Sequence, residues 1–91
     1  MSDIIDNKTQ HRFELEVDGH LAATYYKIDD GVITFLHTEV PPELGGKGIG
    51  SRLIKSALDQ VRAKGLKVIA ECQFVKAFIG KHPAYQDLPK S

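Results

Sequence analysis

Hydrophobic and charged residues alternate through the first third of the chain, as they do in strands that bury one face. The alternation is clearest from residue 12 to residue 17, where the apolar members are Phe13, Leu15 and Val17. Asp18-Gly19 is a strong hairpin signal, and Asp29-Asp30-Gly31 repeats it. The pattern therefore predicts an antiparallel meander of three strands, at residues 12–17, 20–28 and 32–40. Residues 1–11 show no sustained period, and we expect a loosely held terminus there.

A helical period replaces the alternation after Pro41 and Pro42, which end the third strand. Apolar residues then recur on one helical face, namely Ile49, Leu53, Ile54, Ala57, Leu58 and Val61. Gly65 stands where a helix C-cap belongs, and the run Val68-Ile69-Ala70 that follows predicts a short strand buried on both faces. A second helix is expected from Gln73 to Lys81, and the apolar residues expected to face the sheet are Phe74, Val75, Phe78 and Ile79.

Together these elements predict an α+β fold with a mixed sheet. Strand, loop, helix and strand form a right-handed crossover, so the third and fourth strands should be parallel. The predicted order is the three-stranded meander, a βαβ crossover and a C-terminal helix. Because 91 residues suffice for one domain and leave no room for a second, we expect a single domain over residues 1–91.

Composition and charge exclude several classes of function. Twelve basic and 12 acidic residues cancel, which argues against nucleic acid as a main partner. No apolar run approaches the roughly 18 residues of a membrane span, and Met1-Ser2-Asp3 lacks the basic start of a signal peptide. We therefore expect a cytoplasmic protein without a membrane partner. The single cysteine excludes an internal disulfide, and the four histidines lack metal-ligand spacing, so no metal site is predicted. The exposed edges of so small a sheet are compatible with a homodimer.

The stretch from Gly45 to Ser51 has four glycines within six positions, between a strand pattern and a helix pattern. Such a turn exposes backbone N–H groups next to the positive end of the helix dipole, which suits a phosphate. The P-loop pattern fails because Gly50 is followed by Ser51-Arg52, and the spacing also differs from the dinucleotide pattern Gly-x-Gly-x-x-Gly. The alternative is a tight turn that only lets strand and helix pack.

The order Gly45-x-x-Gly48-x-Gly50 resembles the pyrophosphate loop of the GNAT N-acetyltransferase superfamily, Gln/Arg-x-x-Gly-x-Gly/Ala, with Gly45 at the Gln or Arg position. Three further stretches resemble the compact, stand-alone GNAT-like family. They are His37-Thr38-Glu39-Val40-Pro41-Pro42, Cys72-Gln73-Phe74-Val75 and His82-Pro83-Ala84-Tyr85. The resemblance covers residues 12–82 and implies a minimal GNAT fold.

The resemblance implies that acetyl-CoA, the acetyl donor, enters a gap between the third and fourth strands. Its pantetheine arm would pair with the backbone near Val40, and its pyrophosphate would lie on the N–H groups of the glycine loop. The implied cofactor-binding residues are Val40, Gly45, Gly46, Lys47, Gly48, Ile49, Gly50 and Ser51. The implied partner is an amine on a small molecule or a protein, which receives the acetyl group.

The sequence departs from the family pattern in two places. Asp18-Gly19 leaves no room for the two helices that help to enclose the acceptor site in larger members, so we expect a site that is more open or is completed by another chain. The tyrosine that many members place on the last helix, to protonate the departing CoA thiolate, aligns with Ile79. Tyr85 could replace it only if the tail folds back.

Three residues are candidates for catalysis. Cys72, at the carboxyl end of the fourth strand, is either a thiol that accepts or contacts the acetyl group, or a small buried hydrophobe. Glu39 and His37 are two residues apart, so they share a strand face. Either one takes a proton from the attacking amine, or both are ordinary strand-end polar residues. His82, before Pro83, is expected to cap helix carbonyls, and a catalytic part for it is the weaker alternative.

The leading hypothesis is an acetyl-CoA-dependent N-acetyltransferase that works by direct attack of the amine or through acetyl-Cys72. The alternative from another class is a module or sensor that binds CoA or acyl-CoA without catalysis. Gly45 and Ile79 favour the binding module, whereas Cys72 and Glu39 favour the enzyme. A third, weaker hypothesis is a scaffold whose glycine loop is purely structural.

Overall fold

In the computed structural model, residues 4–46 and 48–89 are described, and they form one five-stranded sheet with two α-helices and two short 3₁₀ helices. The strands are β1 (Ile5–Asn7), β2 (Arg12–Val17), β3 (His20–Asp29), β4 (Val32–Glu39) and β5 (Lys67–Ala70). The helices are α1 (Ile49–Ala63) and α2 (Gln73–Lys81), and the 3₁₀ helices are Pro42–Leu44 and Pro83–Tyr85. The sheet order is β1-β2-β3-β4-β5. Neighbouring strands from β1 to β4 pair antiparallel, and β4 and β5 pair in parallel. The predicted mixed-sheet α+β fold is therefore confirmed.

Two Asp-Gly turns connect the meander. Asp18 and Gly19 have φ of 52° and 78°, and Asp30 and Gly31 have φ of 55° and 77°. Two consecutive positive φ angles are typical of the type I′ turn, whose twist matches that of the strands it joins. The predicted hairpins are confirmed, and they fix the register of the central strands.

The first strand, β1, differs from the loose terminus expected for residues 1–11. It pairs antiparallel with β2, with Asp6 opposite Phe13. Side chains far along the chain hold it, because the Asp6 carboxylate accepts a hydrogen bond from Tyr26 and a 2.6 Å bond from Lys64 Nζ. A three-residue strand held by such distant partners has no period of its own, so the sequence pattern could not predict it.

One apolar core lies between the sheet and the two helices. The sheet contributes its inner face, defined by Phe13, Leu15, Ala22, Ile33, Phe35 and Val68. The predicted apolar face of α1 is buried at every position, from Ile49 to Val61. On the opposite, outer face, Leu21 and Ile69 are each 40% exposed, whereas Thr34 is buried. Residues 4–46 and 48–89 therefore form two layers, the sheet and the two helices that pack on its inner face.

This layering corrects two expectations about buried residues. The strand β5 is not buried on both faces, because Val68 is buried while Ile69 points to the open outer face. On α2, Val75, Phe78 and Ile79 are buried as predicted, whereas Phe74 is 42% exposed. Phe74 lies on the first turn of α2, and its ring is close to Gly50 on α1.

The helix α1 ends where Gly65 predicts its C-terminus. Gly65 has a φ of 72°, and its N–H donates to the Arg62 carbonyl at 3.0 Å. Glycine adopts this left-handed conformation without strain, so the chain can turn back toward β5. Neither helix in the described part of the chain has the length and apolar character that crossing a membrane requires.

Candidate cofactor-binding and catalytic site

The chain passes from β4 to α1 through the 3₁₀ helix Pro42–Leu44 and then through two glycines in the left-handed conformation. Leu44, 1% exposed, anchors the 3₁₀ helix in the core. Gly46 and Gly48 have φ of 77° and 71°, a region that side chains with a Cβ rarely adopt. The two glycines are therefore required by the path of the chain. Lys47, expected to bind cofactor, lies outside the described residues.

The N-terminus of α1 has no side-chain cap. Its N-cap residue is Gly48, and its first turn has no acidic residue. The first helical hydrogen bond runs from Arg52 N to Gly48 O at 3.1 Å, so the N–H groups of Ile49, Gly50 and Ser51 have no acceptor within the helix. These donors and the positive end of the helix dipole provide a site for an anion.

A groove of about 300 Å³ opens in front of these N–H groups. It is lined by Val40, Pro41, Pro42, Leu44, Gly45, Gly46, Gly48, Ile49, Gly50, Ser51 and Phe74. Every described residue of the expected cofactor-binding set is on this wall. Gly50 allows a close approach to α2, since a Cβ there would lie 2.5 Å from Phe74 Cζ. A smaller cavity of about 170 Å³ adjoins the groove and shares Ser51 and Phe74 with it.

The strands β4 and β5 separate beside this groove. Their pairing ends at Phe35 and Ala70, where the Phe35 carbonyl accepts hydrogen bonds from Glu71 N and Cys72 N, both at 3.0 Å. Beyond Phe35, β4 continues to Glu39 without a strand partner on that edge in the described part of the chain. The free edge lies at the carboxyl end of the parallel pair, where open α/β sheets bind their ligands.

A β-bulge in β4 decides which side chains face the core. The register between β3 and β4 shifts between Tyr25 and Tyr26, which leaves Leu36 as an extra residue on β4. Phe35 points to the core before the bulge, and Thr38, opposite the buried Thr24, points to the core after it. Without the extra residue, alternation would direct residues 37 and 39 inward instead.

The Cys72 side chain lies on the inner side, at the N-cap of α2, and is 5% exposed. Its Sγ is 3.2 Å from Thr38 Oγ1, and Thr38 Oγ1 is 3.0 Å from Thr24 Oγ1. The N-cap position has no side-chain hydrogen bond to the helix. The sulfur is therefore held between a hydroxyl group and the positive end of a helix.

The other two candidates, His37 and Glu39, lie together on the outer face. His37 Nε2 is 3.3 Å from Glu39 Oε2, and both side chains are more than half exposed. The Tyr25 ring stacks on the His37 ring with centroids 4.4 Å apart. Because Thr38 between them points inward to Cys72, the structure brings His37 and Glu39 together but separates this pair from the cysteine.

The tail folds back, but Tyr85 does not reach the groove. Its hydroxyl donates to Asp59 Oδ1 at 2.7 Å. Asp59 follows Ile49 by ten residues, about 15 Å along α1. Burial and the Asp59 carboxylate raise the pKa of Tyr85. Tyr85 therefore fixes the tail to the helix and is remote from the N–H groups that would hold the cofactor.

The His82 ring caps α2, as the sequence predicts. Its Nδ1 lies 2.7 Å from the Phe78 carbonyl, which can only accept, so Nδ1 holds the proton. The ring also stacks on Phe78, with centroids 3.9 Å apart. Within residues 4–46 and 48–89, no three histidine, cysteine or acidic side chains lie close enough together to hold a metal ion.

Sequence reasoning missed Thr24, Thr38 and Phe74 as parts of the site. Thr24 had a usable signal, because it is a polar residue at an inward position of an alternating strand. Thr38 had none, since its direction depends on the bulge. Phe74 was expected in the core because its helical spacing from Phe78 is that of a buried face.

Comparison with known proteins gives a consistent result. The family model for GCN5-related N-acetyl-transferase matches residues 12–88. Protein NATD1 of Mus musculus is 26% identical over 87 residues, covering 92% of this chain and 79% of that protein. A GCN5-like protein from Staphylococcus aureus, with a structure determined by NMR in solution, is similar with a TM-score of 0.75 and 34% identity. That match covers 98% of this chain and 88% of the other.

Proposed function

Because this chain belongs to the family of GCN5-related N-acetyl-transferases, we propose that it uses acetyl-CoA to acetylate an amine on a small molecule or a protein. The observation that supports this best is the uncapped N-terminus of α1, which opens on a groove beside the free edge of β4. An anionic pyrophosphate and an extended, hydrogen-bonding pantetheine arm need these two features side by side.

In this proposal the N–H groups of Ile49, Gly50 and Ser51 bind the pyrophosphate of acetyl-CoA. The pantetheine arm pairs with the free edge of β4 near Val40, as an added strand would. The Phe74 ring forms the opposite wall of the groove. The acetyl end of the donor is then directed into the gap between β4 and β5, toward Cys72.

We infer that Cys72 receives the acetyl group. Its sulfur attacks the acetyl carbonyl, the bond from that carbon to the CoA sulfur breaks, and the thiol proton of Cys72 passes to the departing CoA sulfur. An amine then attacks the carbonyl carbon of acetyl-Cys72 and forms the C–N bond of the amide. The bond from that carbon to the cysteine sulfur breaks, and a proton of the amine passes to the departing sulfur, which restores the Cys72 thiol. The helix dipole at the N-cap of α2 stabilises negative charge on this sulfur in both steps.

Direct transfer is the second route, and the pairing of His37 with Glu39 favours it. In a neutral imidazole whose Nε2–H donates to Glu39, Nδ1 retains a lone pair that can take a proton from the attacking amine. The pair and Cys72 lie on opposite faces of β4. Single substitutions therefore separate the two routes.

The test is intact mass spectrometry after incubation with acetyl-CoA, under native and denaturing conditions, on the wild type and on Cys72→Ala. We expect an added acetyl group that survives denaturation and is absent from the variant, together with a native CoA complex in both proteins. A native complex without covalent label, and transfer that depends on His37, would replace the cysteine route with direct transfer. A native complex with no transfer to any amine would favour the binding module. Absence of any CoA complex would contradict the proposal as a whole.

A further inference from the structure

A cavity of about 170 Å³, which we call the side cavity, lies between α1 and α2 next to the proposed cofactor groove. It is lined by Ser51, Phe74, Ala77, Phe78, Lys81 and His82. Because Ser51 and Phe74 also line the groove, the two spaces adjoin. In the proposed function, the pyrophosphate and the pantetheine arm occupy the groove. The remaining part of acetyl-CoA, its adenosine 3′-phosphate, needs a place beside the pyrophosphate.

The wall of the side cavity contains two exposed side chains with flat rings. Phe74 is 42% exposed although it is apolar. The exposed His82 stacks on the buried Phe78, with ring centroids 3.9 Å apart and an interplanar angle of 16°, and its Nδ1 donates to the Phe78 carbonyl. These two contacts fix the His82 ring before any ligand binds. Rings of this kind suit a purine base, because every base has a π-face that stacks on an aromatic side chain.

The end of the side cavity farther from the groove is positive. Phe74, Ala77 and Lys81 follow each other at intervals of three and four residues, so they share one face of α2. Lys81 lies about 10 Å beyond Phe74 along the helix axis, and helical side chains lean toward the N-terminus, here toward the groove. None of the described residues that line the side cavity is acidic, and α2 contains no Asp or Glu. No carboxylate of this wall therefore neutralises Lys81.

We propose that the side cavity binds the adenosine 3′-phosphate of acetyl-CoA and thereby selects an acetyl donor that carries a nucleotide. The adenine contacts the rings of Phe74 and His82, and the 3′-phosphate pairs with Lys81. This inference rests on the proposed function, in which the pyrophosphate lies in the adjoining groove. The same ribose carries the pyrophosphate and the 3′-phosphate, so one nucleotide joins the two sites. An acetyl group carried on pantetheine alone makes none of these contacts and should be transferred poorly.

Isothermal titration calorimetry with CoA and with 3′-dephospho-CoA tests the phosphate contact. Neither ligand carries an acetyl group, so the measurement does not depend on acetyl transfer. The two ligands differ by one phosphate, and we expect the wild type to bind CoA about tenfold more tightly. Lys81→Gln should lower the affinity for CoA to that for 3′-dephospho-CoA. The affinity of this variant for 3′-dephospho-CoA should stay within about twofold of the wild-type value, since that ligand lacks the group that Lys81 contacts.

Lys76→Gln is the matched control. Lys76 is also an exposed lysine of α2, so its variant removes the same charge from the same helix. Lys76 lines a different cavity, together with Ile69, Ile79 and Pro89. The variant should therefore keep the preference for CoA. A general effect of net charge would instead weaken CoA binding equally in the two variants.

Etheno-CoA, a fluorescent analogue of CoA with a modified adenine, tests the position of the base. The neutral quencher acrylamide reaches a base in solvent but not one that is covered by protein. If the adenine lies in the side cavity, acrylamide should quench the bound analogue at least about threefold less than the free analogue, because pockets cover most of the surface of a bound ligand.

Four results would overturn the inference: equal affinities of the wild type for CoA and 3′-dephospho-CoA, an unchanged preference in Lys81→Gln, a lost preference in Lys76→Gln, or quenching of bound etheno-CoA as strong as that of the free analogue. Failure of the proposed function gives a different result. If neither CoA nor 3′-dephospho-CoA binds, the proposed function and the inference are both wrong. If CoA binds with the expected preference but no amine is acetylated, only the transfer step is wrong, and the side cavity is confirmed as the nucleotide site.

Discussion

The replacement of Gly48 by alanine tests whether the chain enters α1 through a left-handed residue. Gly48 is the N-cap of α1, with φ of 71° and ψ of 15°. A Cβ added there would meet no atom within 4 Å. The substitution therefore introduces no steric clash, and its whole effect comes from the backbone conformation.

The expected destabilisation follows from this conformation. A residue with a Cβ loses about 1–2 kcal/mol in the left-handed region relative to the right-handed one. For a domain of this size, each kcal/mol lowers Tm by about 4–8 °C. Gly48→Ala should therefore lower Tm by roughly 4 to 16 °C. Gly48→Asn should lose less, because asparagine tolerates the left-handed region.

Gly80→Ala is the matched control, measured in the same thermal unfolding experiment by circular dichroism. Gly80 lies within α2, has no positive φ, and also leaves an added Cβ without any neighbour within 4 Å. Alanine in a helix is more stable than glycine by about 0.5–1 kcal/mol, so Tm should rise by a few degrees. The two glycines thus differ in the sign of φ, and the two shifts in Tm should have opposite signs. A rise in Tm for Gly48→Ala, or equal shifts for both variants, would refute the assigned loop conformation.

Three further predictions concern the groove, the pH dependence and the tail. Gly50→Ala should weaken acetyl-CoA binding several-fold, as measured by calorimetry, with little change in Tm. The reason is that the new methyl group displaces the exposed Phe74 ring that lines the groove. Unchanged affinity would contradict the proposed position of the donor. A hydrogen bond from Arg62 lowers the pKa of Asp87 to about 2. The stability from this pair is therefore present above the unfolded-state pKa near 3.8 and is lost as the pH falls toward 2. The difference in Tm between the wild type and Asp87→Asn should disappear over that interval, and a constant difference would show that the ion pair is not its source. Tyr85→Phe should lower the free energy of unfolding by about 1 kcal/mol, because the hydrogen bond from Tyr85 to a carboxylate on α1 is lost. The rate of acetyl transfer should not change. A large loss of rate would restore Tyr85 as a proton donor.

Local signals explain why much of the fold could be predicted. The Asp-Gly turns set positive φ angles within two residues, and the strands on either side pair directly with each other. The same holds for Gly65 at the end of α1, and for the amphipathic face of that helix. In each case the residues that decide the structure are neighbours in sequence, so the pattern contains the necessary information.

The expectations that failed depend on contacts between distant segments. The strand β1 is held by Tyr26 and Lys64, which lie far from it in sequence. Ile69 and Phe74 are apolar in a buried-looking pattern, yet both are substantially exposed. Ile69 is exposed because it lies on the outer face of the sheet, and Phe74 is exposed because it lines the groove beside α1. Hydrophobic periodicity predicts that a side chain is able to be buried, but not that another element is present to cover it.

In the candidate site, too, some features follow from the local sequence and others from contacts between distant segments. The sequence alone determined the glycine loop, because the left-handed glycines and the uncapped helix start are properties of a few consecutive residues. Only the tertiary structure decided that Thr38, and not His37 or Glu39, faces Cys72. A single extra residue in β4, Leu36, reverses the faces of the strand after it, and that bulge exists only in the pairing of β4 with β3. Because side chains alternate with a period of two, a shift of one residue moves every later side chain to the other face of the sheet.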